Sequence, residues 1–551
     1  MSRRYIIFLL LVSVLFIWLR FSGVHQIYHQ DEHRWVMLAD GSDPGPAPHP
    51  PMVLSSLKLV GSVFGFSNLR ILSIFFSLLN LGLVYLIVKK VSKSFGAAMA
   101  AASLFTVNIY SLVASLQVDI DGTILPFFAL LGYYGYISLL DGEHRKISVV
   151  LLAFSVVGGL LSKLSFVLFL GVLIVDYLIF LYAKNDKNIF SIIKKGAKTV
   201  VPILAAMGLF YYFYASNSHG IIDYGMHFKV LNFGSRAYLD LIFKVIKSFV
   251  WLSPLLSLPA IGGLFIREIR TRQRFWYLYL FINLIFYTVL FDFTTLTIER
   301  YFMFLIAPAV IISSDVLYYF YKKIAHPRLY NEFMAGIGFF SIFAALILLG
   351  RHIILPLNPK IAYLEHLKKF DLSFLIPFSS GSGPIGFYFS AGFIFWSWLI
   401  AVLLLVGLIW GGNKWRALLF SSFMVFGIGY NLLFVNELLN GSLYGSPDKI
   451  VHQTLDHVLA EPSIKRVITY NDIAPYELKK SGKYEARFYT APSRDYTVRM
   501  SDYNGHYMVV NFPEIGESNK YWKLLERCPV VKEFQDKEIK SYIFDCTKLK
   551  P

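Results

Sequence analysis

Cysteine is nearly missing from this chain: its 551 residues hold two, Cys528 and Cys546, both close to the C-terminal end. That excludes a disulfide-dense secreted scaffold, where Cys runs above about 8%. Charge is scarce too. Asp, Glu, Lys and Arg make up 16% of the sequence, against about 25% in soluble domains, which excludes an ordinary soluble enzyme and a disordered chain alike. Acids are the scarcer sign, 35 against 52 Lys and Arg, for a formal charge of +17. The sequence also lacks GxxxxGK[ST], and its one GxGxxG, GSGPIG at 381–386, sits in a long loop between apolar runs and not in a βαβ unit, so nothing points to an ATP-driven pump. Neither HExxH nor a metal-spaced Cys/His cluster is present.

What the chain has instead is apolar surface: 56% hydrophobic residues, 17% aromatic, mean hydropathy +0.56. A helix needs about 20 apolar residues to cross a bilayer. About thirteen such runs are legible, near 5–21, 70–88, 96–115, 123–140, 147–162, 164–183, 199–214, 245–266, 275–291, 301–320, 332–350, 386–408 and 417–435. The expected fold class is therefore a polytopic α-helical membrane protein. The first run, RRYIIFLLLVSVLFIWLR, has no small-residue cleavage site behind it and reads as a retained helix rather than a signal peptide.

The basic residues give an orientation. Before Asn436 lie 35 of the 52 Lys and Arg but 19 of the 35 acids, so the positive excess belongs to the apolar part and not to a nucleic-acid-binding domain. With the N-terminus inside, the short inner segments hold 21 of those 35 cations, as the positive-inside rule requires. An odd number of spans then leaves the tail outside.

Three outer loops are long, at 22–69, 215–244 and 351–385, and loops of that size carry function more often than not. The first contains PGPAPHPP and continues as MVLSSLKLVGSVFGF, an apolar stretch suited to the membrane interface. The third contains the flexible SSGSGPIG. Residues 436–551 change character. RVITYN, ARFYT, YMVVNF and KSYIFD read as strands, and VHQTLDHVLA and SNKYWKLLER as helices, giving a small outer α/β domain beside a membrane domain of residues 1–435. In an oxidising compartment its two cysteines form either a bridge or two free thiols; sequence leaves both open.

The ionisable residues at the outer helix ends are the site candidates, because charge at a membrane boundary is costly without a partner or cavity. They are Asp31 and Glu32 in HQDEHRW, Asp119 and Asp121 in LQVDIDG, Lys163 in LLSKLSF, Arg70 in SNLRILS, Arg300 and Tyr301 in TIERYF, and His49 in PAPHPP. A carboxylate among them can take a proton from an attacking hydroxyl. Fixed cations can stabilise a departing phosphate. Each residue also has a bland reading: the acids as helix caps, Lys163 as an interfacial cation with its stem in lipid, Arg70 as a tie between helix and loop.

The order of these motifs resembles the GT-C glycosyltransferases, in the branch of protein O-mannosyltransferases and the lipid A aminoarabinose transferase. An acidic pair in the first outer loop is matched by Asp31 and Glu32. A [HK]PPL step is matched by His49, Pro50, Pro51 and Met52, followed by a glycine-to-arginine approach at Gly65 through Arg70. A second acid opening a helix is matched by Asp121 with Ile124 and Leu125, Asp119 being the alternative. A TKG-like step is matched by Ser162 and Lys163, and an Arg-Tyr pair by Arg300 and Tyr301. The similarity covers about the first 320 residues. Departures are Met52 for Leu, Ser-Lys-Leu for Thr-Lys-Gly, and His33 after the acidic pair where an apolar or aromatic residue is commoner.

The resemblance implies an inverting transferase that uses a polyprenyl-phosphate sugar. Asp31 would be the base, with Asp121 and Glu32 as further catalytic acids. Lys163, Arg300, Tyr301, His49 and Arg70 would bind the donor phosphate. The acceptor is a protein, lipid or envelope glycan hydroxyl. No soluble cofactor is implied. Some of these enzymes hold a divalent metal at the acids, and for this branch none is expected. The competing classes are a transporter or flippase of a lipid-linked sugar, which should show repeated halves and midplane charges, and a non-catalytic envelope-assembly protein.

Overall fold

The computed structural model describes residues 3–184, 238–290, 299–488 and 504–548, less short gaps at 46, 48, 325–328, 350–351, 357–360, 380, 513–514 and 516–520, with scattered residues of 190–212. Among the described residues seven helices are long and apolar enough to span a membrane, or nine if each of two bent pairs is one span. Shorter apolar helices at Ile6–Phe21, Ile124–Leu140 and Arg274–Leu290 fall on three more of the runs read from sequence. Most of the run at 199–214 and most of the 215–244 loop lie outside the described residues.

Two runs expected as straight spans are broken. Phe95–Val107 meets Ile109–Ser115 at 64°, and Tyr238–Leu252 meets Pro254–Phe265 at 102°. Inside a bilayer the backbone groups freed by a break must find protein partners, and Asn431 and Asn108 together supply them at the two breaks. Asn431 Oδ1 accepts from the Ile109 N–H and from Asn108 Nδ2, both at 3.2 Å, and its own Nδ2 donates to Ser253 Oγ at 2.9 Å. Asn108 also caps the second half-helix, accepting from Ser111 N at 3.0 Å, and donates to Leu252 O at 3.0 Å. The fully buried Arg20 supports the first bend from the other side, donating to Thr106 O at 3.0 Å and Ser111 Oγ at 3.1 Å.

The first and third long loops are themselves structured. The first forms the helices Glu32–Asp40 and Pro51–Phe64, the second starting with Pro at its first position, where the missing N–H costs nothing. Leu59, Val63 and Phe64 stay exposed, as suits an interfacial helix. The third loop forms a small sheet, β1 (Ile353–Ile354), β2 (Phe374–Phe378) and β3 (Phe387–Ser390), with β2 central.

The tail forms a five-stranded sheet from β4 (Val467–Tyr470), β5 (Tyr484–Phe488), β6 (His506–Val510), β7 (Val530–Asp536) and β8 (Ile539–Asp545), in the order β5-β4-β6-β8-β7. β5, β4 and β6 run parallel, while β8 is antiparallel to β6 and β7. Helix Pro447–Ala460 packs on it. Cys528 and Cys546 are disulfide-bonded with Cα atoms 5.1 Å apart. This sheet domain docks on the first outer loop: Ile27 N donates to Asp448 Oδ1 at 3.0 Å, and the Tyr28 and Tyr476 rings meet edge to face at 5.9 Å.

Replacing Asn431 by Leu keeps the volume but removes the acceptor of the Ile109 N–H and the donor to the Ser253 hydroxyl. Its thermal midpoint in detergent should fall by the equivalent of about 1–3 kcal/mol; an unchanged midpoint would show that Asn431 does not hold the bends.

Candidate active site

The site grows from residues at helix ends. Asp31 is the N-cap residue of Glu32–Asp40, and its side chain remains 48% exposed. Asp119 and Asp121 lie in the short segment between the bent pair's end at Ser115 and the helix Ile124–Leu140. Lys163 separates Arg145–Ser162 from the helix that follows, in extended backbone. Arg300 and Tyr301 open the Glu299–Lys323 span.

These ends converge. Arg300 bridges two carboxylates, Asp31 at 2.9 Å and Asp119 at 2.7 Å. Lys163 Nζ donates to both oxygens of Asp121 at 2.7 Å. The Tyr301 ring lies against both cations, 5.0 Å from Lys163 Nζ and 5.3 Å from the Arg300 guanidinium carbon, so the two ion pairs form one cluster. His49 stacks on Trp35 at 5.8 Å and lies within the field of Lys163, Asp119 and Arg300.

The electrostatics separate the two buried acids. Burial pushes Asp119 up, but Arg300, Lys163 and the Ile120 N–H outweigh it and hold its carboxyl below the usual range. For Asp121 burial wins over Lys163, helped by the neighbouring Asp119 charge, and its affinity for a proton is raised. Burial and then Lys163 depress His49 well below an ordinary imidazole, so it is neutral at pH 7.

Glu32 and Arg70, grouped by sequence with the catalytic acids and the phosphate ligands, take a different place. Both are fully buried and paired with each other, at 2.7 Å and 3.1 Å. Glu32 also accepts from Val118 N at 2.9 Å and His29 N at 3.1 Å, and Arg70 donates to the Gln26 and Ile27 carbonyls. With their hydrogen-bonding capacity spent on protein, this pair locks the first loop to the Asp119 segment.

Two contributors were not legible. Lys247 and Lys244 reach Glu299, the charged neighbour of Arg300 already marked by TIERYF, at 2.7 Å and 3.7 Å; they lie in the second long loop and its helix, away from any motif. The SSGSGPIG segment is not a free tether: the Ser382 hydroxyl is buried beside Asp119, and a Cβ on Gly383 would fall 1.8 Å from Glu32 Oε2. Gly383 has φ +66°, so only glycine fits there.

Asp121, Arg300 and Tyr301 also line a cavity whose other walls include Leu125, Phe166, Phe169, Tyr287 and Phe304. Charge on one side and apolar or aromatic walls on the other suit an amphiphile with an anionic head. The acids do not fit a divalent ion as placed. Asp121 and Asp119 each hold a cationic side chain, and no group of three His, Cys, Asp or Glu side chains converges among the described residues.

Bent spans, long loops and a charged cluster at helix ends define a multi-pass membrane protein, and the fold is that of the solved ArnT structures. Residues 48–210 match the family described as dolichyl-phosphate-mannose-protein mannosyltransferase, a segment that carries His49, Arg70, Asp119, Asp121 and Lys163. Over its whole length the chain is similar to ArnT from Cupriavidus metallidurans, both bound to undecaprenyl phosphate (TM-score 0.51) and in the apo state (0.52). In each case identity is 13%, with 99% of this chain and 98% of ArnT covered. No curated relative matches the sequence. The resemblance to the GT-C superfamily read from the motifs is thus met by a sequence-family match and by the fold.

Replacing Arg70 by Met leaves the buried Glu32 uncompensated and should cost about 3–5 kcal/mol, lowering yield and thermal midpoint in detergent. A stable R70M protein with weakened donor binding would return Arg70 to the phosphate ligands.

Proposed function

We propose that the protein is a membrane glycosyltransferase that moves a sugar from a polyprenyl-phosphate donor to a hydroxyl acceptor at the outer face. The observation that carries this reading is a pair of cations held by carboxylates beside a largely apolar cavity: Arg300, which lines it, on Asp31 and Asp119, and Lys163 on Asp121, which lines it too. Fixed cations there can receive a lipid phosphate, and the apolar walls suit the first units of its tail. The family matched by residues 48–210 and the undecaprenyl phosphate bound to ArnT support the same donor class.

In the proposed reaction Asp31, the exposed carboxylate of the cluster, takes the proton of the acceptor hydroxyl. The hydroxyl oxygen forms a bond to the anomeric carbon as that carbon's bond to the phosphate oxygen breaks. The polyprenyl phosphate leaves with the electron pair, and Arg300 and Lys163 stabilise its growing charge. A single displacement of this kind inverts the anomeric centre. Tyr301 and neutral His49 add hydrogen bonds to the phosphate, and Asp119 and Asp121 orient the two cations. Neither carboxylate is free for a metal, so no step passes through one. The N-terminus lies inside and the sheet domain outside, where it helps to select a protein, lipid or envelope-glycan acceptor.

The test uses purified protein and a panel of undecaprenyl-phosphate-linked sugars with extracted envelope acceptors. Asp31→Asn should lower kcat by about 10²–10⁴-fold while donor affinity stays within a few-fold. Full transfer by D31N removes Asp31 as the base. Donor movement between leaflets by wild-type protein with no transfer sinks the enzyme reading. Excess chelator should leave the wild-type rate unchanged; loss that one added cation restores would install a metal at the acids.

A further inference from the structure

Left-handed backbone occurs next to Asp31 and in a turn of the C-terminal sheet domain that bonds the same loop. Gln30, immediately before Asp31, has φ +50°. In the turn that leaves β4, Asn471, Asp472 and Ala474 have φ +54°, +56° and +48°. Such residues are unfavourable unless their surroundings hold them, and here histidines of the first loop do so. His33 Nδ1 bonds the Gln30 carbonyl, and His29 Nδ1 bonds the Asp472 carbonyl at 3.2 Å. A carbonyl oxygen only accepts, so both Nδ1 atoms carry the hydrogen. The Asp472 side chain is fixed in turn by Arg487 at 2.7 Å.

All three groups are shielded, with His29 1%, His33 8% and Asp472 2% exposed. Burial is the largest influence on both rings, taking His29 down to about 4 and lowering His33, so both stay neutral donors at pH 7. The charges facing His33 come from the sheet domain, Asp472, Lys479 and Arg487. A path of hydrogen bonds and backbone therefore runs from the β4 turn to His29 and along the 29–33 segment, where His33 holds Gln30, the residue preceding the proposed base.

We propose that His33 and His29 are positioning residues through which the 471–474 turn of the C-terminal domain sets the placement of Asp31. The inference rests on the reading of Asp31 as base. It gives the tail domain a role in the chemical step besides acceptor selection, and it gives a use to the histidine that departs from the family pattern.

The experiment measures kcat and donor KM in full-length protein for H33A, H33N, Q30G and R487A, using the undecaprenyl-phosphate sugar turned over fastest in the panel. A base displaced by about 1 Å loses up to 100-fold, so H33A should lower kcat roughly tenfold with donor KM unchanged within twofold. H33N, whose amide N–H replaces Nδ1–H, should recover most of the rate. Q30G relieves the left-handed strain and folds at least as well, yet should lose kcat several-fold by loosening the turn; R487A should do the same from the far end of the path. In a D31N background H33A should have no further effect. A H33A protein of normal kcat and lowered thermal midpoint, a Q30G protein of undiminished kcat, or a further loss in D31N each overturns the proposal. Inactive D31N together with unaffected H33A overturns the positioning role alone, whereas active D31N overturns the base and this inference with it.

Discussion

The bridge from Arg300 to Asp31 and Asp119 is the contact on which the candidate site depends. Charge is expensive at a membrane boundary, and a guanidinium offers donors in a planar fork that two carboxylates can share. One end of the bridge is buried and the other half exposed. The arrangement thus ties a fixed acid in the bundle to a reachable one on the loop. Lys163 and Asp121 repeat the logic alongside, and Tyr301 joins the two pairs. An anion arriving at this cluster meets cations that need not be desolvated anew.

The remainder of the fold serves to hold helix ends at that level. The Asn108 bend precedes the segment that carries Asp119 and Asp121. The Ser253 bend follows the helix that carries Lys244 and Lys247. Asn431 and Arg20 supply the hydrogen bonds that make the first break tolerable. Glu32 and Arg70 then lock the first loop to the Asp119 segment, and Gly383 lets the third loop close over that lock. Long loops that read separately in sequence meet at one place.

Much of this was legible in the residues and some was not, for physical reasons. Hydropathy marks a span because lipid demands it, so most apolar runs appear as helices. Hydropathy does not mark a bend, because Asn108 and Ser253 are single polar residues whose partner, Asn431, is far away in the chain. Charge type at helix ends brought Asp31, Asp119, Asp121, Lys163, Arg300, Tyr301 and His49 onto one list. It could not tell an acid facing a cavity from Glu32, one residue later, which turns inward to Arg70. In the tail, β4, β5, β6 and β8 alternate or are solidly apolar, whereas β7 is an exposed edge strand carrying Lys532, Glu533 and Asp536, which hides its period. Ser382 and Gly383 look like a linker because their role depends on a close approach that only tertiary structure creates.

The central claim is that Lys163 and Arg300 receive a polyprenyl phosphate. The most direct measurement is a structure of the protein in lipid nanodiscs with saturating undecaprenyl phosphate. The account predicts the phosphate within hydrogen-bonding distance of Lys163 and Arg300, with the first isoprene units in the cavity lined by Leu125, Phe166 and Tyr287. A phosphate bound on another face, with the Lys163–Asp121 and Arg300–Asp119 pairs untouched, would contradict it.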